Sequence, residues 1–270
     1  FGLKFGTDRA DEFWEQIDAV YIASPHDTHT GYIRQALEHG RHVLCEKPLA
    51  LSGKEAKELY ELASAKGCVL MEAVKTAYCP GFQQLLGIAR SGVIGSIRDV
   101  EAAFTKLENP DSRELTDTSF GGSFLELASY PVLAIFKLLG IDYEDLRFEA
   151  IRDEKGIDLY TKAYFRYKNS LATAKTGLGV KSEGELIISG TKGYVVLPAP
   201  WWKTQEIEIR YENPGQNEKF FYKFLGDGLR YEISDFVAAV NGNEKKEHKL
   251  KPEESVALAR VMEAWLGCRE

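Results

Sequence analysis

The chain has 270 residues, 44% hydrophobic and 28% charged, a globular composition that excludes a disordered chain and leaves room for two domains. Lys and Arg number 34 against 41 Asp and Glu, so the net charge of −7 repels nucleic-acid phosphates rather than recruiting them. No run approaches the roughly 18 apolar residues of a membrane helix, and no secretory h-region opens the chain. The expectation is a soluble cytoplasmic protein with no nucleic-acid or membrane partner. Four cysteines, Cys45, Cys68, Cys79 and Cys268, show no C-x-x-C pair and no zinc spacing, and Cys45 and Cys68 sit in apolar runs as reduced core thiols do.

Residues 18–23 form an apolar run rich in strand formers that stops at Ser24-Pro25. Residues 28–39 follow with Tyr32, Ile33, Ala36 and Leu37 on one helical face and Gly40 behind them. A second short strand spans residues 41–45. Ser52-Gly-Lys-Glu55 then matches a capping box, in which the serine hydroxyl satisfies a free helix N–H and the glutamate reaches back. Behind it Ala56, Leu59, Tyr60 and Ala63 repeat at helical spacing until Gly67, and residues 68–73 form a third apolar strand. Strands apolar along nearly their whole length, alternating with helices, indicate a parallel sheet covered on both faces.

Pro80 opens a further helix with Phe82, Leu85, Leu86 and Ala89 on one face and Gly92 at its end. The pattern then changes. Residues 97–104, 146–152, 159–167, 171–177, 185–189, 194–197, 207–211 and 219–222 read as strands, several with a period near two, joined by turns such as Lys168-Asn-Ser170 and Gly190-Thr-Lys-Gly193. That succession indicates a mostly antiparallel sheet. Helices are expected over 120–139, over 229–240, and after Pro252 with Val256, Ala259, Met262 and Leu266 on one stripe. The charged run Glu244-Lys-Lys-Glu-His248 reads as a solvated loop. The predicted fold class is α/β: a parallel-sheet domain over residues 1–77, then an α+β domain with a large, mostly antiparallel open sheet over residues 78–270.

Three clusters could do chemistry. Ala23-Ser-Pro-His-Asp-Thr-His29 lies at the carboxyl end of a parallel strand, where open α/β sheets bind ligands. His26 and His29, three apart, suggest either a metal or a helix N-terminal turn, and no nearby Cys or further His completes a metal set. Cys45-Glu-Lys-Pro48 ends the next strand. A partly desolvated Lys47 can act in acid–base chemistry or polarise a carbonyl, although an adjacent carboxylate opposes the shift, and a solvated turn lysine is the plain alternative. In Gly121-Gly-Ser-Phe-Leu-Glu-Leu-Ala-Ser-Tyr130, a helix sets Glu126 and Tyr130 four residues apart on one face, as a hydrogen-bonded strut or as a proton donor with its orienting partner.

Taken together, Ile-Ala-Ser-Pro-His-x-x-His and His42-Val-Leu-Cys-Glu-Lys-Pro-Leu49 resemble the amino-terminal domain of the Gfo/Idh/MocA oxidoreductase family. Met71-Glu-Ala-Val-Lys-Thr-Ala-Tyr-Cys-Pro80, Gly92-Val-Ile-Gly-Ser-Ile97, Gly121-Gly to Tyr130 and Gly190-Thr-Lys-Gly193 extend the likeness along the chain. Within the family it most resembles the dimeric dihydrodiol dehydrogenase and xylose dehydrogenase branch. The resemblance implies a Rossmann-type dinucleotide domain holding NAD or NADP at its strand ends. It also implies an α/β substrate domain whose open sheet forms a homodimer contact, and hydride exchange with a sugar-like polyol or diol, or its carbonyl. Ser24, Pro25, His26 and His29 would line the nicotinamide and ribose, and Glu46 and Lys47 would bridge cofactor and substrate. Lys47 resembles the family's central lysine, Tyr130 stands where this branch carries a proton-donating tyrosine, and Glu126 replaces the usual aspartate in a helper role.

Two departures matter. Thr76-Ala77-Tyr78 lacks the arginine common before the aromatic-x-Pro segment, and Lys75 replaces an aromatic, which leaves substrate specificity open. The G-x-G-x-x-G turn that opens a dinucleotide fold is absent from these residues. The expectation is therefore an incomplete Rossmann domain, a truncated chain missing the first βαβ unit. The alternative reading is a non-catalytic regulator on the same scaffold that senses NAD(P) or binds a partner, against which the presence of both Lys47 and Tyr130 speaks.

Overall fold

The computed structural model describes residues 6–242 and 249–268, so the Glu244–His248 run lies outside the described residues. The chain divides into two compact units, Phe1–Ala73 with Ile233–Arg260, and Val74–Glu232 with Val261–Glu270.

The first unit runs α1 (Ala10–Glu15), β1 (Ala19–Ile22), α2 (His29–Glu38), β2 (His42–Glu46), α3 (Gly53–Lys66) and β3 (Leu70–Ala73). The strands form a parallel sheet in the order β1-β2-β3, with Ala19 opposite His42 and Val43 opposite Leu70. The expected faces supply its core except for Tyr32, which is exposed: Ile33, Ala36 and Leu37 from α2, and Ala56, Leu59 and Ala63 from α3, pack with Val43, Cys45, Leu49 and Ala50. Val256 and Ala259 of a later helix join the same core. Sequence periodicity does not announce α1, whose six residues are too few to show a repeat. The capping box is not formed as expected. Ser52 holds the N-cap position with extended backbone (φ −131°, ψ 130°), but its side chain makes no cap hydrogen bond. Gly53 beside it is required by a close approach, since a Cβ there would meet Arg260 Cγ at 2.2 Å.

The second unit contains α4 (Pro80–Arg90), β4 (Ile97–Thr105), α5 (Ser123–Leu127), α6 (Ser129–Leu139), β5 (Asp145–Arg152), β6 (Asp158–Arg166), β7 (Leu171–Gly177), β8 (Leu186–Gly190), β9 (Tyr194–Leu197), β10 (Glu206–Arg210) and β11 (Glu218–Phe221). The sheet has eight strands in the order β11-β10-β9-β8-β4-β7-β6-β5. β4 and β7 pair in parallel, and every other neighbouring pair among the described residues is antiparallel. One face is continuously apolar: Phe165, Ala172, Val100, Ile188, Val195 and Ile209 stand in one row across six strands. α5 and α6 pack over β4, β6 and β7, where Ala102, Ala163 and Ala174 leave room for helix backbones. The opposite face carries Tyr164, Thr173, Glu101, Ile187 and Glu208 and is left half-exposed.

The helices differ from expectation in two ways. The helix expected over 120–139 is two, because Pro131 has no N–H to offer the carbonyl of Leu127. α7 (Leu229–Val240) and α8 (Pro252–Gly267) both cross the division between units. The sequence reading keeps all of residues 78–270 in one domain, whereas residues 233–260 return to the first unit. Helical periodicity shows that such a helix buries a stripe and not which sheet receives it.

Candidate active site

In the first unit the site is built where β1 and β2 end. β1 stops at Ile22, leaving Ala23 and Pro25 exposed and Ser24 half-buried, and a 3-10 turn over His26–Thr28 leads into α2. Thr28 shapes this turn: its Oγ1 donates to the Pro25 carbonyl at 2.7 Å and lies within hydrogen-bond distance of Ser24 Oγ at 2.6 Å. His29 is fully buried and ties the two strand ends together. Its Nδ1 lies 2.8 Å from the Pro48 carbonyl and its Nε2 lies 2.9 Å from the Ser24 carbonyl. Both partners are acceptors, so the ring satisfies both when each nitrogen carries a hydrogen. His26 packs edge-on against it, with centroids 5.9 Å apart. Among the described residues no group of three or more His, Cys, Asp or Glu could hold a metal ion.

At the end of β2, Glu46 is half-buried and accepts a hydrogen bond from the hydroxyl of Tyr21 on β1. Lys47 follows and is buried, with 8% of its surface exposed. Next to it lies a carboxylate that sequence reasoning missed. All four residues of β3 are buried, and Glu72 is one of them. Its Oε1 accepts from the Leu49 N–H at 3.0 Å and its Oε2 accepts from the Ser255 hydroxyl on α8. Burial pushes the Glu72 carboxyl up to about 7 against the pull of these hydrogen bonds and of the nearby Lys47 cation. Burial, with Glu72 and Glu46 adding to it, likewise raises the Cys45 thiol well above its ordinary value, so Cys45 stays protonated and inert. A charged residue inside the apolar run Leu70-Met-Glu-Ala73 was the one available signal for Glu72.

In the second unit Glu126 sits on α5, half-buried, and Tyr130 on α6, with 8% of its surface exposed. Gly122 starts α5 with φ 105°, a conformation only glycine adopts freely. Asp158, the first residue of β6, then caps the helix: its Oδ2 accepts from Phe124 N–H at 2.8 Å, Ser123 Oγ at 2.7 Å and Thr161 Oγ1 at 2.8 Å. Beside Tyr130 stands an aromatic wall that the sequence reading also missed. The Phe104 ring lies 5.2 Å from that of Tyr130 and stacks on Trp202 at 3.6 Å and 10°. Trp201, fully buried, donates from Nε1 to the Ala103 carbonyl at 2.8 Å and fixes the turn that presents Trp202.

The first unit's residues fit the nicotinamide end of a dinucleotide. Two strand-end loops are tied side by side, with exposed backbone at Ala23 and Pro25 and a hydroxyl at Ser24. Lys47, buried, follows directly on the end of β2. Residues 3–74 match the family model described as "Oxidoreductase family, NAD-binding Rossmann fold", and residues 82–196 match the "GFO/IDH/MocA C-terminal domain". Fold and strand-end site thus define a nicotinamide-dependent oxidoreductase. The chain belongs to the Gfo/Idh/MocA family.

Among similar proteins, a scyllo-inositol 2-dehydrogenase (NADP(+)) of Bacillus subtilis is 28% identical over 254 residues, 91% of this chain and 76% of that protein. A trans-1,2-dihydrobenzene-1,2-diol dehydrogenase of Oryctolagus cuniculus is 28% identical over 255 residues, 92% of this chain and 77% of that protein. The crystal structure of a 3-ketoreductase from Actinomadura kijaniata, in complex with TDP-benzene and NADP, superposes with a TM-score of 0.78. It is 26% identical and covers 95% of this chain and 79% of its own.

Proposed function

We propose that this protein moves a hydride between NAD or NADP and the carbinol or carbonyl carbon of a sugar-like polyol or a diol. Lys47 acts as the oxyanion-stabilising cation and Tyr130 as the proton carrier. The observation that carries the reading is a buried lysine held at a parallel-strand end, where a solvated turn lysine would be exposed. The bound cofactor accepts or supplies the hydride. Ser24, Pro25, His26 and His29 would line its nicotinamide and ribose side, and Glu46 and Lys47 would bridge cofactor and substrate. In reduction the Tyr130 phenol would give its proton to the carbonyl oxygen and be left as phenolate, and in oxidation that phenolate would take the hydroxyl proton back; the Lys47 ammonium would stabilise negative charge on the substrate oxygen. Glu126, four residues before Tyr130, helps to orient it. The stacked Phe104 and Trp202 rings beside Tyr130 offer a flat apolar wall to the C–H face of a sugar or to a carbocyclic diol, the substrate classes in the relatives' names.

The same reading places the protein in the cytoplasm as a homodimer, supported by four free thiols and by the half-exposed face of the eight-stranded sheet. No helix among the described residues is long and apolar enough to cross a membrane. The test is NAD(P)-dependent turnover across inositols, aldoses and cyclic diols. Lys47→Met and Tyr130→Phe are each expected to lower kcat by about 10²–10⁴-fold with cofactor affinity nearly unchanged. Turnover undiminished in Lys47→Met overturns the assignment.

A further inference from the structure

We propose that Glu72 is the positioning residue of the active-site lysine: its carboxylate clamps the loop that carries Lys47 and holds the ammonium by charge. The inference rests on the reading of Lys47 as the catalytic cation. The segment from Lys47 to Leu49 is short and held at both ends. On one side, β2 is zipped to β3 with Cys45 opposite Glu72 and Glu46 opposite Ala73. On the other, the Leu49 N–H is bound by the Glu72 carboxylate. Between them, the Pro48 carbonyl is taken by His29. Lys47 is thus fixed by contacts to the backbone of both residues that follow it, and the only ionisable group among those contacts besides the imidazole is Glu72.

A neutral residue would suffice for packing. Leu or Met at position 72 would continue the apolar run, and an ionised carboxylate in that setting is costly unless paired and hydrogen-bonded. Its partners match that need. Ser255 anchors one oxygen from α8, Leu49 the other, and the Lys47 cation balances the charge. The other groups facing Glu72 are Glu46 and Cys45 on β2 and Tyr60 on α3, whose hydroxyl is within hydrogen-bonding reach of Ser255. Of these, Cys45 and Tyr60 are held neutral by burial and Glu46 repels, so the Lys47 cation is what opposes them. Ionised Glu72 therefore both grips the loop and draws the ammonium toward a single position, and protonated Glu72 does the first without the second.

The experiment follows the Glu72 carboxyl directly, by carbon NMR of the full chain labelled at glutamate side chains, with Glu72→Gln identifying the signal. The titration midpoint is expected near neutrality, and Lys47→Met is expected to raise it by about half a pH unit or more, a threefold or greater gain in proton affinity. In turnover assays Glu72→Gln, which keeps the shape and an acceptor but not the charge, is expected to lower kcat about tenfold at an unchanged cofactor KM and to remove the kcat rise between pH 6 and 8. Ser255→Ala, a milder loss of one anchor, is expected to lower kcat severalfold, and it serves as the kinetic test should Glu72→Gln fail to fold. A Glu72 midpoint that ignores Lys47→Met, or a kcat and pH profile untouched by these substitutions, overturns the inference. Turnover undiminished in Lys47→Met instead overturns the catalytic reading on which it rests.

Discussion

At the scale of single residues, the carboxylate at Glu72 has a thermodynamic consequence independent of catalysis. An unfolded glutamate loses its proton near the ordinary carboxyl value of 4.5, whereas the buried one holds it up to about 7. Between those values the folded chain carries a proton that the unfolded chain has released, so stability falls as pH rises through the window, by about 3 kcal/mol in all. Glu72→Gln has no proton to lose. Its melting temperature relative to the natural chain is expected to be higher at pH 8 than at pH 5, measured by circular dichroism. An equal difference at both pH values would show that the carboxyl titrates in its ordinary range. The Glu-Lys-Pro string was legible because strand-end position and neighbouring residues are local facts. Glu72 was not, because the serine that anchors it is 183 residues away in sequence.

At the scale of elements, α5 and α6 show how the second unit places Glu126 and Tyr130. Helix spacing over 120–139 was legible, and so was the Gly121-Gly122 pair that precedes it. The break at Ala128 follows from Pro131, a residue whose missing N–H is visible in the sequence although the position of the break is not. What holds α5 in place comes from β6. Asp158 answers one backbone N–H and two hydroxyls with a single oxygen, fully buried. Asp158→Ala leaves those donors without their acceptor and is expected to cost about 2–4 kcal/mol. Urea unfolding followed by tryptophan fluorescence measures it, and a loss below about 1 kcal/mol would mean that the network contributes little.

At the scale of the molecule, the eight-stranded sheet buries one face under helices and offers the other. Across that second face Tyr164, Thr173, Glu101, Ile187 and Val196 stand in register on neighbouring strands, a mixed row of the kind found at homodimer surfaces. Light scattering is expected to give twice the chain mass of 30.3 kDa, and Ile187→Asp, which sets a charge in the middle of the row, is expected to shift the population toward the monomer. A chain of single mass at all concentrations would rule out the sheet as a dimer contact. The charge of −7 does not oppose such a contact, because the face carries basic Lys162 and Lys175 as well as acidic Glu101 and Glu208.

The sequence by itself determined the alternation of strands and helices, the parallel character of the first sheet, the mostly antiparallel character of the second and the loops that end β1 and β2. Each of these depends on residues near one another in the chain, through periodicity, turn chemistry and helix stops. Only the tertiary structure decided that residues 233–260 return to the first unit, that β4 pairs in parallel with β7, and that Phe104 and Trp202 stack beside Tyr130. It also decided that His29 spends both ring nitrogens tying two loops and that Glu72 finds Ser255. These are contacts between distant segments, and burial periodicity says that a face must be covered without saying by what.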